Sequence, residues 1–257
     1  MILGVEFELW VVAVLCLTFF VSGFVDSIAG GGGLINVPVF LLLGAPPEFA
    51  LGTTKMSATI GKIAALINYA KNGLINWRLA FVGLPAAIIG GALGTKAILY
   101  FDSANIGKII LFLLPVGVAA VLLPRRNFNT ANTITRFKLY ALTPMICFVL
   151  GFYDGFFGPG VGSFFIIALN FFIGLTLVQA AAMTKVFNLS TAFSSFVVFA
   201  VAGKVFFLLG ILLIFFSIAG NILGSSMAIK IGSDFVKKVL LFSLSLLFAT
   251  LAWKFFS

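Results

Sequence analysis

The sequence predicts an all-α, polytopic membrane protein made of two homologous halves, and three observations carry that expectation. First, only 9% of the 257 residues are charged while 62% are hydrophobic. Soluble domains carry roughly 25% charged residues, so a water-soluble fold of this size could not cover its surface, and lipid is the expected solvent. Second, apolar runs follow one another along nearly the whole chain, many of them near the ~20 residues that a crossing needs. Third, short motifs recur in the same order about 130 positions later, the mark of an internal repeat.

The runs divide into ten segments: 9–29, 33–45, 48–70, 76–100 and 103–123, then 138–157, 161–174, 176–201, 205–230 and 233–256. Segments two and seven are short for a span, so each is expected as a half-helix, a re-entrant arm or a thin crossing. The stretch 124–137, PRRNFNTANTITRF, is the most polar in the chain. It is read as the linker between a first transmembrane repeat, 1–123, and a second, 138–257. The first apolar run is preceded by Glu6 and Glu8 and not by a positive region, so it is expected as mature structure and not as a signal peptide.

The repeat is read residue by residue. Gly23-Phe24-Val25-Asp26 corresponds to Gly151-Phe152-Tyr153-Asp154, an offset of 128. Gly30 and Gly32 then fall on Gly158 and Gly160, Thr54-Lys55 on Thr184-Lys185, and Gly73 on Gly203. Gly90 and Gly94 match Gly220 and Gly224. One match in a Gly-rich chain says little; the collinear set says much. Five segments per half would insert the second copy upside down relative to the first, an inverted repeat with short broken helices. Positive charge tests this. With ten spans and both termini outside, the inner loops hold Lys71, Arg78, Arg125, Arg126, Arg136, Lys138, Lys230, Lys237 and Lys238. The outer ones hold Lys96, Lys108, Lys204 and Lys254. That is nine against four, and with segments two and seven re-entrant the best orientation of eight spans gives eight against five, so the positive-inside rule favours the inverted arrangement.

The net charge of +9 therefore reads as topology and not as nucleic-acid binding, since no basic stripe with interleaved aromatics stands clear of apolar sequence. Phe (32) suits a lipid-facing surface and Gly (27) lets transmembrane helices approach closely. The chain has no His, and its two cysteines, Cys16 and Cys147, lie inside apolar runs. No metal site, cofactor or redox motif is expected.

Two Gly-rich breaks follow the paired acids: Asp26-Ser27-Ile28-Ala29-Gly30-Gly31-Gly32-Gly33 and Asp154-Gly155-Phe156-Phe157-Gly158-Pro159-Gly160. Backbone groups freed by such a break must face protein or a wet cavity. The short helix after each break offers unpaired N–H groups and a partial positive charge, which suits a small anion. Gly31, Gly32, Gly158 and Gly160 are the candidate contacts; a tight helix–helix turn is the plainer alternative. No Gly-Lys-Ser/Thr follows either break, so a phosphate-binding loop is not indicated.

Lys55 and Lys185 form the second constellation. A charge at the centre of a membrane helix costs about 2.5–3.5 kcal/mol on insertion scales. Lys55 is expected about 10 Å from its helix start and Lys185 about 14 Å. Facing a shared cavity, the two would attract an anion; snorkelling, or pairing with Asp26 or Asp154, would explain them without one. Lys62 lies two turns after Lys55 on nearly the same face but has Ala192 at its matching position, and ranks lower. Thr54, Thr184 and Asn188 lie on the same segments and could donate to anion oxygens, or serve as helix–helix glue. Asp26 and Asp154 are candidates for proton coupling, because a carboxyl in a poorly solvated site holds its proton more tightly; a salt bridge or a local cap is the alternative.

Gly23-Phe24, Gly30 to Gly33, Pro38, Leu41-Leu42-Leu43-Gly44-Ala45-Pro46-Pro47 and Ala50-Leu51-Gly52-Thr53-Thr54-Lys55 together resemble the first-half signature of the sulfite exporter TauE/SafE family. Gly151-Phe152-Tyr153-Asp154-Gly155-Phe156-Phe157-Gly158-Pro159-Gly160 and Thr184-Lys185-Val186-Phe187-Asn188 resemble its second-half signature. The resemblance covers essentially the whole chain. It implies a multi-pass carrier in the bacterial inner membrane for anions such as sulfite, sulfonates or related organosulfur acids. Two positions near the expected site depart from the family pattern: Thr54 stands where Asn often precedes the Lys, and Ser190-Thr191-Ala192 replaces the usual Ser-Asn stretch.

Three classes of function are thus in view: a secondary anion carrier with its small anionic substrate, an anion channel, and a membrane-embedded enzyme or assembly subunit. A homo-oligomer is compatible with each. The absence of His and of any Ser-His or Cys-His pair argues against the enzyme, and no nucleotide-binding motif argues for direct ATP drive.

Overall fold

The computed structural model describes residues 9–102, 105–106, 134–236 and 238–239. Nearly all of segment five, most of the polar linker and most of segment ten lie outside these residues. The described chain forms helices with no strand among them: α1 (Leu9–Ala29), α2 (Gly33–Leu42), α3 (Pro47–Lys71), α4 (Trp77–Ile98), α5 (Lys138–Phe156), α6 (Val161–Ile173), α7 (Leu177–Val201) and α8 (Phe207–Ile231).

Local sequence explains the boundaries. Pro47 opens α3, where its missing N–H costs nothing. Asn76 caps α4 by accepting from the Leu79 N–H at 3.1 Å. Thr176 and Gln179 form a reciprocal capping box at the start of α7, with N–H to side-chain distances of 3.3 and 3.2 Å. Helices α3 and α7 both end at a glycine in the left-handed region, Gly73 (φ 69°) and Gly203 (φ 68°).

Among the described residues, five helices are long and apolar enough to cross a membrane: α1, α4, α5, α7 and α8. Helix α3 has the same 25-residue length as α7 but carries Glu48, Lys55, Lys62 and Lys71. The outward faces are apolar, with Leu17, Phe81 and Phe215 each 65–70% exposed. A protein in water would bury such side chains, whereas lipid solvates them. The chain is a multi-pass membrane protein.

The two short segments are half-length helices that double back. Helix α2 has 10 residues, about 15 Å at the α-helical rise. Its Phe40 ring meets Phe19 of α1 edge-on, with centroids 5.9 Å apart. Val11, Leu15 and Phe19 of α1 share one cluster with Phe40, Ala45 and Ala50, so the end of α2 returns toward the start of α1. Helix α6 does the same against α5. Lys138, at the start of α5, donates to the Ile173 carbonyl at the end of α6 (3.1 Å). The α1–α2 hairpin opens beside the beginning of α3, where Ala50 lies. The α5–α6 hairpin opens beside Ile75 and Leu79, just beyond the end of α3.

The halves are woven through each other. Helix α1 packs along α8, and α4 along α5; α3 and α7 cross between them. Glycines make these contacts backbone-to-backbone. A methyl added at Gly90 would run into the Phe148 carbonyl, and one at Gly220 into the Phe20 carbonyl. Gly94 faces the Phe152 carbonyl as Gly224 faces that of Phe24. The duplicated glycines thus make duplicated contacts, each against the opposite half.

Candidate functional site

The two Gly breaks meet at the centre of the molecule. Gly30, at φ 74°, lies so close to Gly162 that a Cβ on either residue would overlap the other's backbone. Gly33 borders Pro159, and the Ser163 hydroxyl donates to the Ala29 carbonyl at 2.8 Å. Helix ends left in hydrocarbon would have bare carbonyl and amide groups. Here each end is covered by the other break and by charged side chains.

Those charges are crossed between the halves. Lys55 on α3 reaches Asp154 at the end of α5, with Nζ 2.6 Å from Oδ1 and 2.6 Å from the backbone carbonyl. Lys185 on α7 reaches Asp26 at the end of α1, with Nζ 3.1 Å from Oδ2 and a further bond to the Asp26 carbonyl. Each ammonium therefore sits on the C-terminal end of a broken helix, where the helix dipole is negative. The remaining carboxylate oxygens are also satisfied. Asp26 Oδ1 accepts from the Gly32 N–H at 3.3 Å, and Asp154 Oδ2 accepts from the Thr191 hydroxyl. Such complete pairing is what allows buried charge to persist, because an ion stripped of its partner in a low dielectric costs several kcal/mol.

A third cation has no such partner. Lys62 is buried, and its Nζ donates to Asn188 Oδ1 at 2.8 Å. No described carboxylate lies within 4 Å of it. Around the two breaks, three buried lysines thus stand against two aspartates; the other buried carboxylate among the described residues, Glu48, pairs with Lys204.

Beside Lys62 lies a cavity with about 540 Å³ of empty space. Its walls come from both halves and include Asp26, Asn36, Thr54, Lys55, Lys62, Asp154 and Asn188. Gly30, Gly32, Gly33 and Gly158 bring backbone up to it. Two polar atoms in its walls are buried without a hydrogen-bond partner: Asn36 Oδ1 and Thr54 Oγ1. Buried polar atoms in folded proteins are nearly always paired with protein or water, so these two are open to a water or a ligand.

The structure brings Thr54, Lys55, Asn188, Gly32, Gly158, Asp26 and Asp154 to this cavity. Lys185, Thr184, Gly31 and Gly160 lie outside its lining. Lys185 is fully buried behind Asp26, and the Thr184 hydroxyl is buried without a partner, as its counterpart Thr54 is. The Gly32 amide, expected to be free for an anion, is taken by Asp26. Two wall residues carried little signal in the sequence. Lys62 had only its two-turn spacing from Lys55, and Asn36 had none.

Residues 15–251 match the family described as Sulfite exporter TauE/SafE. A "Probable membrane transporter protein" of Haemophilus influenzae is 35% identical over 226 residues, covering 88% of each chain. "Probable membrane transporter protein ORF9" of a Sinorhizobium species is 32% identical, covering 89% of this chain and 87% of its own. "Probable membrane transporter protein YfcA" of Escherichia coli K12 is 28% identical over 86% of this chain and 83% of its own. No solved structure matches.

Proposed function

Since the chain belongs to the sulfite exporter TauE/SafE family, we propose that it is a secondary carrier, and not an enzyme, that moves a small anion such as sulfite, a sulfonate or a related organosulfur acid across a bacterial inner membrane. The observation that carries this reading is Lys62: a buried cation with no carboxylate within 4 Å among the described residues, at a cavity walled by both halves. An uncompensated charge in such a place is costly, and a bound anion removes the cost.

The halves insert in opposite senses in this reading, and they rock about the crossed Gly breaks to expose the cavity to each side in turn. The opposed openings of the two hairpins support that arrangement. Ion pairs Lys55–Asp154 and Lys185–Asp26 tie the halves together and must shift as they move. Protonation supplies a coupling step. A proton on Asp154 would release Lys55 into the cavity as a second binding cation, and one on Asp26 would loosen Lys185. A channel would use the same charges but would have no need of two states.

Purified protein in liposomes tests the proposal. Uptake of labelled sulfite should saturate and show counter-flow against internal substrate. Non-saturating flux without counter-flow would identify a pore, and no anion flux at all would remove the anion reading.

A further inference from the structure

We infer that the cavity selects a monoanion carrying a hydrogen-bond donor, a singly charged tetrahedral or pyramidal oxoanion bearing O–H or N–H, over dianions of the same shape. The inference rests on the anion-carrier reading and adds to it the charge and protonation of the cargo.

Charge comes first. With both aspartates paired to their lysines, the core holds one surplus positive charge, that of Lys62. A monoanion brings the site to neutrality. A dianion leaves a net negative charge among low-dielectric walls, because the other lining cation, Lys55, is already paired with Asp154; breaking that pair to free it would itself be costly.

Hydrogen bonding comes second. Asn36 lines the cavity, is only 3% exposed, and its buried Oδ1 has no partner. An amide oxygen can only accept, so the missing partner must be a donor, which a fully deprotonated oxoanion does not have. Thr54 Oγ1, also unpartnered at the wall, can donate to an anion oxygen. Together, Lys62 and Thr54 serve the oxygens and Asn36 reads the proton.

Three tetrahedral anions matched in size separate these terms, all fully ionised at neutral pH. Sulfate is a dianion without a donor, methanesulfonate a monoanion without a donor, and sulfamate a monoanion with an N–H. Competition against labelled sulfite uptake in liposomes holding the full chain should rank sulfamate first, methanesulfonate second and sulfate last. Each step should be about tenfold, the scale of leaving one buried polar group unpaired. In Asn36→Leu the ratio of sulfamate to methanesulfonate should fall to about one. Lys62→Gln should lose labelled sulfite uptake itself, and Lys62→Arg should restore uptake with the same ranking of competitors. Sulfate competing as well as methanesulfonate would overturn the charge count while leaving the anion carrier standing. Equal competition by sulfamate and methanesulfonate in the unaltered protein would overturn the role of Asn36. Failure of every anion, with no labelled sulfite uptake, would overturn the carrier reading itself.

Discussion

Lys55 and Asp154 lie 99 positions apart in sequence, on opposite halves of the chain, and their charged groups meet at 2.6 Å. The matching pair, Lys185 with Asp26, makes the same exchange in reverse. Neither half satisfies its own ions; each lends its lysine to the other's broken helix.

Removing one member of such a pair strands the other. Lys55→Ala should destabilise the detergent-solubilised protein by about 3–5 kcal/mol, read as a lower unfolding midpoint. The paired change Lys55→Met with Asp154→Leu should recover most of that stability and none of the transport. A single mutant as stable as the parent would show that the pair is not formed.

Lys185→Ala should cost both transport and stability. Lys185 is fully buried against Asp26, so its loss strands that carboxylate. A change in stability of less than about 1 kcal/mol, the upper end for exposed ion pairs, would count against the observed burial.

Gly30→Ala should prevent proper folding, because the residue has φ 74° and an added methyl would overlap Gly162. Gly44→Ala provides the control. Gly44 has a similar φ of 81° but open space around its Cβ position, so only the backbone preference, about 1–2 kcal/mol, is lost. Thermal unfolding of the two variants side by side isolates the close approach of the breaks.

Alternating access predicts that matched positions take turns. Thr54 borders the cavity and Thr184 does not. Single cysteines at these sites, in a chain lacking Cys16 and Cys147, should react with small hydrophilic thiol reagents unequally, and substrate should shift the two rates in opposite directions. Rates that rise and fall together would contradict a rocking motion.

Proton coupling is tested by Asp154→Asn, which removes the carboxyl and keeps its shape, in protein whose unfolding midpoint shows that it still folds without the Lys55 pair. Transport by this variant should no longer respond to an imposed pH gradient. An unchanged response would remove Asp154 from the coupling step and leave Asp26→Asn as the next measurement.

Much of the site was legible in the sequence because its costly residues are duplicated. Asp26 and Asp154, Lys55 and Lys185, and the Gly breaks recur at almost constant spacing, and each looks expensive in lipid. Their pairing across the halves was less legible, since hydropathy has no long-range partner information. Direction was hidden as well: a 10-residue apolar stretch reads alike whether it continues α1 or doubles back as α2 does. Lys62 and Asn36 were undervalued for a single reason. Both lack a counterpart in the other half, and the repeat is what made the other residues visible.

The interlacing of the halves has a consequence for biosynthesis. When α1 and α3 enter the membrane, Asp26 and Lys55 arrive before the residues that neutralise them have been made. At roughly 5–20 residues per second, the 99 positions between Lys55 and Asp154 correspond to roughly 5–20 s of waiting. During that interval the nascent first half must be sheltered by the insertion machinery, by local water, or by a temporary pairing of its own two ions. A truncated chain ending before Asp154 should therefore be recognised as defective and degraded, however apolar its helices.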